Sequence, residues 1–129
     1  MKKILPVVSL LLALGMLSGC VSSMGEYNAV GCVSNQGGSG FSMKYEDFDG
    51  TKYYIYSPEQ TLAATLTFET LGGTISCNIN AKDNDPVLVR EKIRTGSFRV
   101  KLEKGETYTF RFRAEHHKGS FDVRWEPLA

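Results

Sequence analysis

From Phe41 onward, apolar and polar residues alternate one for one in short bursts, and this pattern restricts the chain to β-structure. Leu62, Ala64, Leu66 and Phe68 alternate with Ala63, Thr65 and Thr67. Ile75, Cys77 and Ile79 alternate with Ser76, Asn78 and Asn80, and Phe98, Val100 and Leu102 with Arg99, Lys101 and Glu103. Tyr108, Phe110 and Phe112 alternate with Thr109, Arg111 and Arg113, and Phe121, Val123 and Trp125 with Asp122, Arg124 and Glu126. Successive side chains of a strand point to opposite faces, so each burst predicts one face in a core and one in water. No comparable stretch carries the 3.6-residue period of a helix. Adding 41–46 and 51–57 gives at least seven strands. Asp49-Gly50, Gly72-Gly73, Lys104-Gly105 and Lys118-Gly119 mark turns, and Asp85-Pro86 is a break. The expected fold class is all-β: a single antiparallel β-sandwich of seven to nine strands.

The start of the chain follows another rule. Lys2 and Lys3 precede an apolar run from Ile4 to Leu17, broken only by Pro6, Ser9 and Gly15. Fourteen residues fall short of the roughly 20 that cross a bilayer as a helix, so the run reads as a cleavable targeting segment. It ends in Leu17-Ser18-Gly19-Cys20, which resembles the lipobox of bacterial lipoproteins. That resemblance implies a thioether-linked diacylglycerol on Cys20 and cleavage before it. The protein would then be a membrane-anchored envelope lipoprotein. Each buried CH₂ contributes about 0.8 kcal/mol, so two or three acyl chains hold where one does not. Val21, in place of an Asp, implies by the same resemblance transport onward to an outer membrane. The mature chain would run from residue 20 to 129, with 13 Lys and Arg against 14 Asp and Glu once Lys2 and Lys3 are gone. Such a balance argues against nucleic acid as a partner, because phosphate binding needs clustered cations.

With Cys20 carrying lipid, Cys32 and Cys77 remain. In an oxidising compartment two thiols commonly pair, so a Cys32–Cys77 disulfide is expected, closing a loop worth up to about 4 kcal/mol. The organisation is then a signal peptide over 1–19, a lipidated Gly/Ser-rich tether over 20–40 and the β-domain over 41–129. The tether assignment rests on four glycines between residues 31 and 40 and no apolar period. Residues 82–97 are less readable: Val87, Leu88 and Val89 fit an extra strand, and 90–94 a charged loop.

Residues 49–125 resemble the bacterial pre-peptidase C-terminal domain, a small jelly-roll-like β-sandwich. The likeness lies in Asp49-Gly50-Thr51-Lys52-Tyr53-Tyr54-Ile55-Tyr56, in 61–68, in Gly105-Glu106-Thr107-Tyr108-Thr109-Phe110-Arg111-Phe112 and in Gly119-Ser120-Phe121-Asp122-Val123-Arg124-Trp125. The acidic strand-end residues typical of that family are partly missing. The resemblance implies an accessory module without catalytic residues.

Several constellations could carry chemistry. Tyr53, Tyr54 and Tyr56 cluster on one strand, with Tyr54 and Tyr56 on one face and Tyr53 on the other. An exposed tyrosine face could stack on sugar rings or meet a partner, and a buried one would serve the core. His116-His117 offers imidazoles that suit zinc, copper or nickel. Neighbours on a strand point apart, however, so the pair reads as a solvated hairpin turn. Asp83-Asn84-Asp85 offers oxygens for calcium but lacks the glycine and distal bidentate Glu of a full calcium loop. Arg99, Lys101, Arg111, Arg113 and Arg124 fall on outward positions of the last strands, either as one basic patch or as cross-strand ion pairs. Neither a Gly-x-Ser-x-Gly elbow nor a phosphate loop occurs. The sequence thus points to a non-catalytic binding or accessory module of the cell envelope, without cofactor, whose partner is carbohydrate, envelope polymer or protein. The alternative is a structural subunit of an envelope assembly.

Overall fold

The computed structural model describes residues 19–81 and 85–128, with side chains from residue 23 onward. The targeting run and the Asp83-Asn84 part of the calcium candidate lie outside the described residues. Among the described residues seven strands follow one another: β1 (Gly19–Val30), β2 (Val33–Gly37), β3 (Gly40–Pro58), β4 (Leu62–Asn80), β5 (Pro86–Arg90), β6 (Gly96–Leu102) and β7 (Tyr108–Pro127). All pairings are antiparallel, in the order β1-β3-β7-β4-β5, with β2 also on β3 and β6 also on β4.

Three strands are far longer than the alternation predicted, because three of the four glycine pairs are corners rather than turns. Asp49-Gly50 lies inside β3, Gly72-Gly73 inside β4 and Lys118-Gly119 inside β7. Pairing slips at matching places, between Tyr45 and Gly50 on β3 and between Thr70 and Thr74 on β4. Such bulges bend a strand and increase its twist. Backbone crowding explains the glycines: a Cβ on Gly119 would drive into the carbonyl oxygen of Glu69, and one on Gly73 into that of His116. Only Lys104-Gly105 lies between two strands, β6 and β7.

The bends fold the sheet onto itself. Phe112 and Phe121 stand nine positions apart in β7, about 30 Å in a straight strand. Their rings stack at 4.1 Å between centroids and 6° between planes. Phe41 and Tyr54, both in β3, stack at 3.7 Å. Each long strand therefore serves two leaves. Leaf I holds β1, the 51–58 half of β3, the 108–114 half of β7, the 74–80 half of β4, and β5. Leaf II holds β2, residues 40–45 of β3, 119–127 of β7, 62–70 of β4, and β6. The inner positions of both leaves form one core, including Leu62, Leu66, Phe68, Ile75, Ile79, Phe110, Phe112 and Phe121, all 1% exposed or less. Tyr56 stacks on Trp125 at 4.0 Å, tying leaf I to leaf II. The all-β, sandwich-like expectation holds.

Two expectations do not. Residues 20–40 are not a structureless tether: β1 runs beside β3 from Gly19↔Pro58 to Val30↔Asp47, and β2 from Val33↔Lys44 to Gly37↔Gly40. These strands lack an apolar period because they lie at the sheet margin, where backbone pairing carries them. Ala29 packs on the core, and Tyr27 meets Phe48 edge-on at 5.4 Å. The expected Cys32–Cys77 bridge is not formed. Cys32 is exposed in the link between β1 and β2, whereas Cys77 is buried on the inner face of β4. β3 and β7 separate them in the sheet order, and a disulfide needs Cα atoms within roughly 7 Å. Burial pushes the Cys77 thiol well above its usual range.

Candidate functional site

The outer face of leaf I is built from cross-strand rows. The register aligns Met24 of β1, Tyr53 of β3, Arg111 of β7, Asn78 of β4 and Val89 of β5 in one row. The next row carries Glu26, Thr51, Arg113 and Ser76. Five strands at about 4.8 Å spacing make the first row about 19 Å long. Two shallow depressions lie along it. One of about 420 Å³ is lined by Met24, Gly25, Glu26, Thr51 and Tyr53. The other, of about 140 Å³, is lined by Ser76, Asn78, Glu91, Arg111 and Arg113.

Tyr53 is half-buried on this face, whereas Tyr54 and Tyr56 are 1% and 0% exposed. Two of the three tyrosine candidates are therefore core residues. Tyr54 stacks on Phe41 and Tyr56 on Trp125, and burial pushes the Tyr56 hydroxyl up to about 12. Burial raises Tyr54 further. Of the three, only Tyr53 lies outside the core and partly exposed on the outer face.

The five outward cations do not form one patch. Arg111 and Arg113 stand on leaf I; Arg99, Lys101 and Arg124 stand on leaf II. The leaf II group is paired: Arg99 with Glu126 at 3.7 Å, Lys101 with Glu103 at 3.4 Å and Arg124 with Asp122 at 3.1 Å. Among the described residues Arg111 and Arg113 have no ion pair, and the buried Nε of Arg111 has no hydrogen-bond partner.

His116 and His117 are at a corner of β7, not in a hairpin turn. His117 is fully buried. Its Nε2 lies 2.8 Å from Thr70 Oγ1, which itself donates to the Ile93 carbonyl at 2.8 Å. That hydroxyl must accept from His117, which fixes the proton on Nε2. Nδ1 then accepts from the Tyr45 hydroxyl at 2.7 Å. Burial lowers the His117 pKa to about 4. His116 has φ of 46° and points into water. Its Nδ1 lies 3.2 Å from Asp47 Oδ1, and its backbone N–H donates to Asp49 Oδ1 at 3.1 Å. Its hydrogen bond to Asp47, joined by the charge of Asp49, raises its pKa. The two rings thus face different surroundings, as the strand argument required. Among the described residues no group of three His, Cys, Asp or Glu side chains is arranged to hold a metal ion.

No protein-family model and no curated protein matches the chain in sequence, so the pre-peptidase C-terminal resemblance has no family match behind it. Among solved structures, the secreted serine protease VesC from Vibrio cholerae is similar over 72% of this chain, with 9% identity and a TM-score of 0.51. This chain covers 22% of that protease chain, and at such identity the likeness shows a shared fold alone. An exo-beta-1,3-galactanase from Phanerochaete chrysosporium aligns over 82% of this chain and 29% of its own, at 13% identity and a TM-score of 0.40. A xylan-binding domain from Paenibacillus barcinonensis aligns over 88% of this chain and 99% of its own, at 9% identity and a TM-score of 0.33.

Sequence reasoning found Tyr53, Arg111 and Arg113 and placed Ser76 and Asn78 outward. Met24 and Glu26, in the expected tether, and Glu91, in the expected charged loop, carry no such signal. An alternation test on 19–30 would not have found them, because that strand has no regular apolar face.

Proposed function

We propose that this protein is a non-catalytic binding module that holds a glycan polymer on the outer face of leaf I. The observation that carries this reading is the row Tyr53–Arg111–Asn78 with the row Thr51–Arg113–Ser76 beside it. It is an open surface with the Tyr53 ring and several side-chain donors and acceptors, and among the described residues its arginines have no ion pair. A sugar ring presents an apolar face that an aromatic can cover and a rim of hydroxyls that amide, hydroxyl and guanidinium groups can bond. The depressions are shallow and open, which suits a polymer lying across strands better than a small substrate enclosed for reaction.

The module would be carried to the cell envelope and anchored through acyl chains on Cys20, as the lipobox resemblance implies. Cys20 pairs with Ser57 at the start of β1. The anchor would therefore leave little slack, and Tyr53 would stand four residues farther along β3, about 13 Å from the lipidated end.

The test is retention of the purified full chain on insoluble envelope and plant polymers, with Tyr53→Ala and Asn78→Ala as variants. Retention of the parent and its loss in both variants, with unchanged circular dichroism, supports the reading; retention indifferent to both variants removes it. Mass spectrometry of native material tests the anchor, since an unmodified thiol at Cys20 would end that part of the proposal. A structural subunit remains the second reading, favoured by the exposed margin of β1 and β2, where Met24, Val30 and Val33 are 56%, 57% and 64% exposed. Co-purification of a stoichiometric envelope protein after mild detergent extraction would replace the glycan reading with that one.

A further inference from the structure

We propose that the polymer held on leaf I is anionic, and that Arg111 and Arg113 form its acid-reading subsite. The inference rests on the glycan-module reading and goes further by naming the ligand's charge. The two side chains stand two residues apart on β7, hence on the same side and about 7 Å from each other. Their cross-strand neighbours are Tyr53 and Asn78 for Arg111, and Thr51 and Ser76 for Arg113. None of these is acidic. Like charges so close on one face repel, and on leaf II the equivalent cations are each neutralised by a neighbouring acid.

The second observation is the Nε of Arg111, buried and, among the described residues, without a partner. A buried donor left unpaired is unfavourable, and the residue that carries it lines the open depression with Ser76, Asn78, Glu91 and Arg113. Glu91 lines the same depression, and Glu115 lines the adjoining one with Lys92 and Arg113. Both acids are exposed and neither pairs with Arg111 or Arg113, so they border the subsite without filling it. A guanidinium presents a planar fork of donors that matches a carboxylate or phosphate group in bidentate fashion. Tyr53, next to Arg111 in the register, is placed to cover the adjoining sugar ring. The chemistry recognised is thus a sugar unit bearing a carboxylate or phosphate within a longer chain.

The experiment uses the full chain in detergent and four immobilised probes: polygalacturonate, phosphomannan, xylan and neutral galactan, each at low and high salt. The expected result is tighter retention on one or both anionic probes, weakened by salt. R111Q/R113Q should lower that retention at least thirtyfold. Which anionic probe prevails distinguishes carboxylate from phosphate. R111K/R113K keeps charge and volume, so it serves if the glutamine variant folds poorly; it should show an intermediate loss, since Lys lacks the fork. R99Q/R124Q on leaf II should leave retention unchanged. Retention on xylan or galactan equal to that on the anionic probes, and unmoved by R111Q/R113Q, overturns the charge assignment while leaving a glycan module standing. Failure on all four probes overturns both.

Discussion

The two outer faces of this sandwich share the same three long strands, and they differ in how charge is written along them. On leaf II, β7 alternates sign on one side: Asp122, Arg124, Glu126. Each charge then finds an opposite neighbour, as in Arg124–Asp122 and Arg99–Glu126. Thr65 donates to Glu126 at 2.8 Å and Thr67 bonds Ser97 at 3.1 Å, completing a self-satisfied surface. On leaf I the same strand carries Arg111 and Arg113 in succession before Glu115; their cross-strand neighbours are neutral, and neither arginine is paired with that acid among the described residues. A strand that neutralises itself needs nothing from outside. Arginines left unpaired keep hydrogen-bonding capacity for something else, and that contrast is what favours leaf I as the proposed binding face.

The comparison exists only while the corners hold, so the largest effect should come from breaking one. Gly119 has φ of 142° and sits against the Glu69 backbone, where a side chain cannot fit. Gly119→Val should cost more than about 4 kcal/mol, enough to abolish or nearly abolish folding of a domain of this size. Urea unfolding followed by Trp125 fluorescence measures it. A variant with wild-type stability would show that the strands do not turn through that contact. Gly105→Ala is the control: it has positive φ but open space around it, and should cost only about 1 kcal/mol.

These corners also explain how far the sequence could be read. The alternation named the inward residues of the bursts at 62–68, 75–79, 98–102, 108–112 and 121–125, Ala63 excepted, because burial on one side leaves a period of two whatever the topology. It could not separate a corner from a turn at Gly50, Gly73 or Gly119, since both require a glycine and only distant pairing distinguishes them. For the same reason it merged Arg111 and Arg113 with Arg99, Lys101 and Arg124: which half of a bent strand joins which leaf is set by partners far along the chain. Tyr54 and Tyr56 were correctly placed on one face. Tyr53 and Ile55 opposite them are amphipathic or apolar too, so the inward side was not marked. β1 and β2 were hidden because marginal strands held by backbone bonds need no hydrophobic pattern.

Acid should weaken the corner next. His117 stays neutral in the folded chain, with its pKa lowered from 6.5 to about 4 by burial, while in the unfolded chain it protonates near its ordinary value. As pH falls from 6.5 to 4 the unfolded state takes up the proton first, so stability declines over that window by up to about 3 kcal/mol and levels off below it. His116 acts in the opposite sense. Its raised pKa means that its pairing with Asp47 is fully present below 6.5 and fades as pH rises through the folded value. Urea midpoints from pH 7 to 4, compared between the parent and His117→Phe, isolate the buried ring. The parent should lose stability steeply and the variant should show a flatter profile. Equal slopes would mean that His117 is not buried as a neutral donor and acceptor.

The two faces of β3 offer a smaller and sharper contrast. Tyr54→Ala empties a core position stacked on Phe41 and should cost about 3–5 kcal/mol of stability. Tyr53→Ala, one residue away, should change stability by less than about 1 kcal/mol. Its effect should fall on binding, with roughly tenfold weaker polymer retention, which corresponds to about 1.4 kcal/mol. Retention assays beside thermal unfolding separate the two outcomes. A Tyr53→Ala protein that binds as the parent does would leave the arginines without their aromatic neighbour in the site.

The smallest effect should come from leaf II. Arg99 and Glu126 are 57% and 47% exposed at the side chain, and such surface pairs contribute about 0.2–1 kcal/mol. Glu126→Gln keeps an acceptor for Thr65 and removes only the charge, so unfolding should shift by less than about 1 kcal/mol and retention should not change. Adding Asp122→Asn leaves Arg99 and Arg124 unpaired on leaf II, as Arg111 and Arg113 are on leaf I. If free cations alone made the site, this double variant would gain anionic retention that survives R111Q/R113Q. It should not, because the leaf II cross-strand neighbours of these arginines are Thr65 and Gly40, with no ring in the position Tyr53 holds beside Arg111. A gain of leaf I strength would reduce the site to charge; its absence would show that unpaired arginine and adjacent aromatic act together.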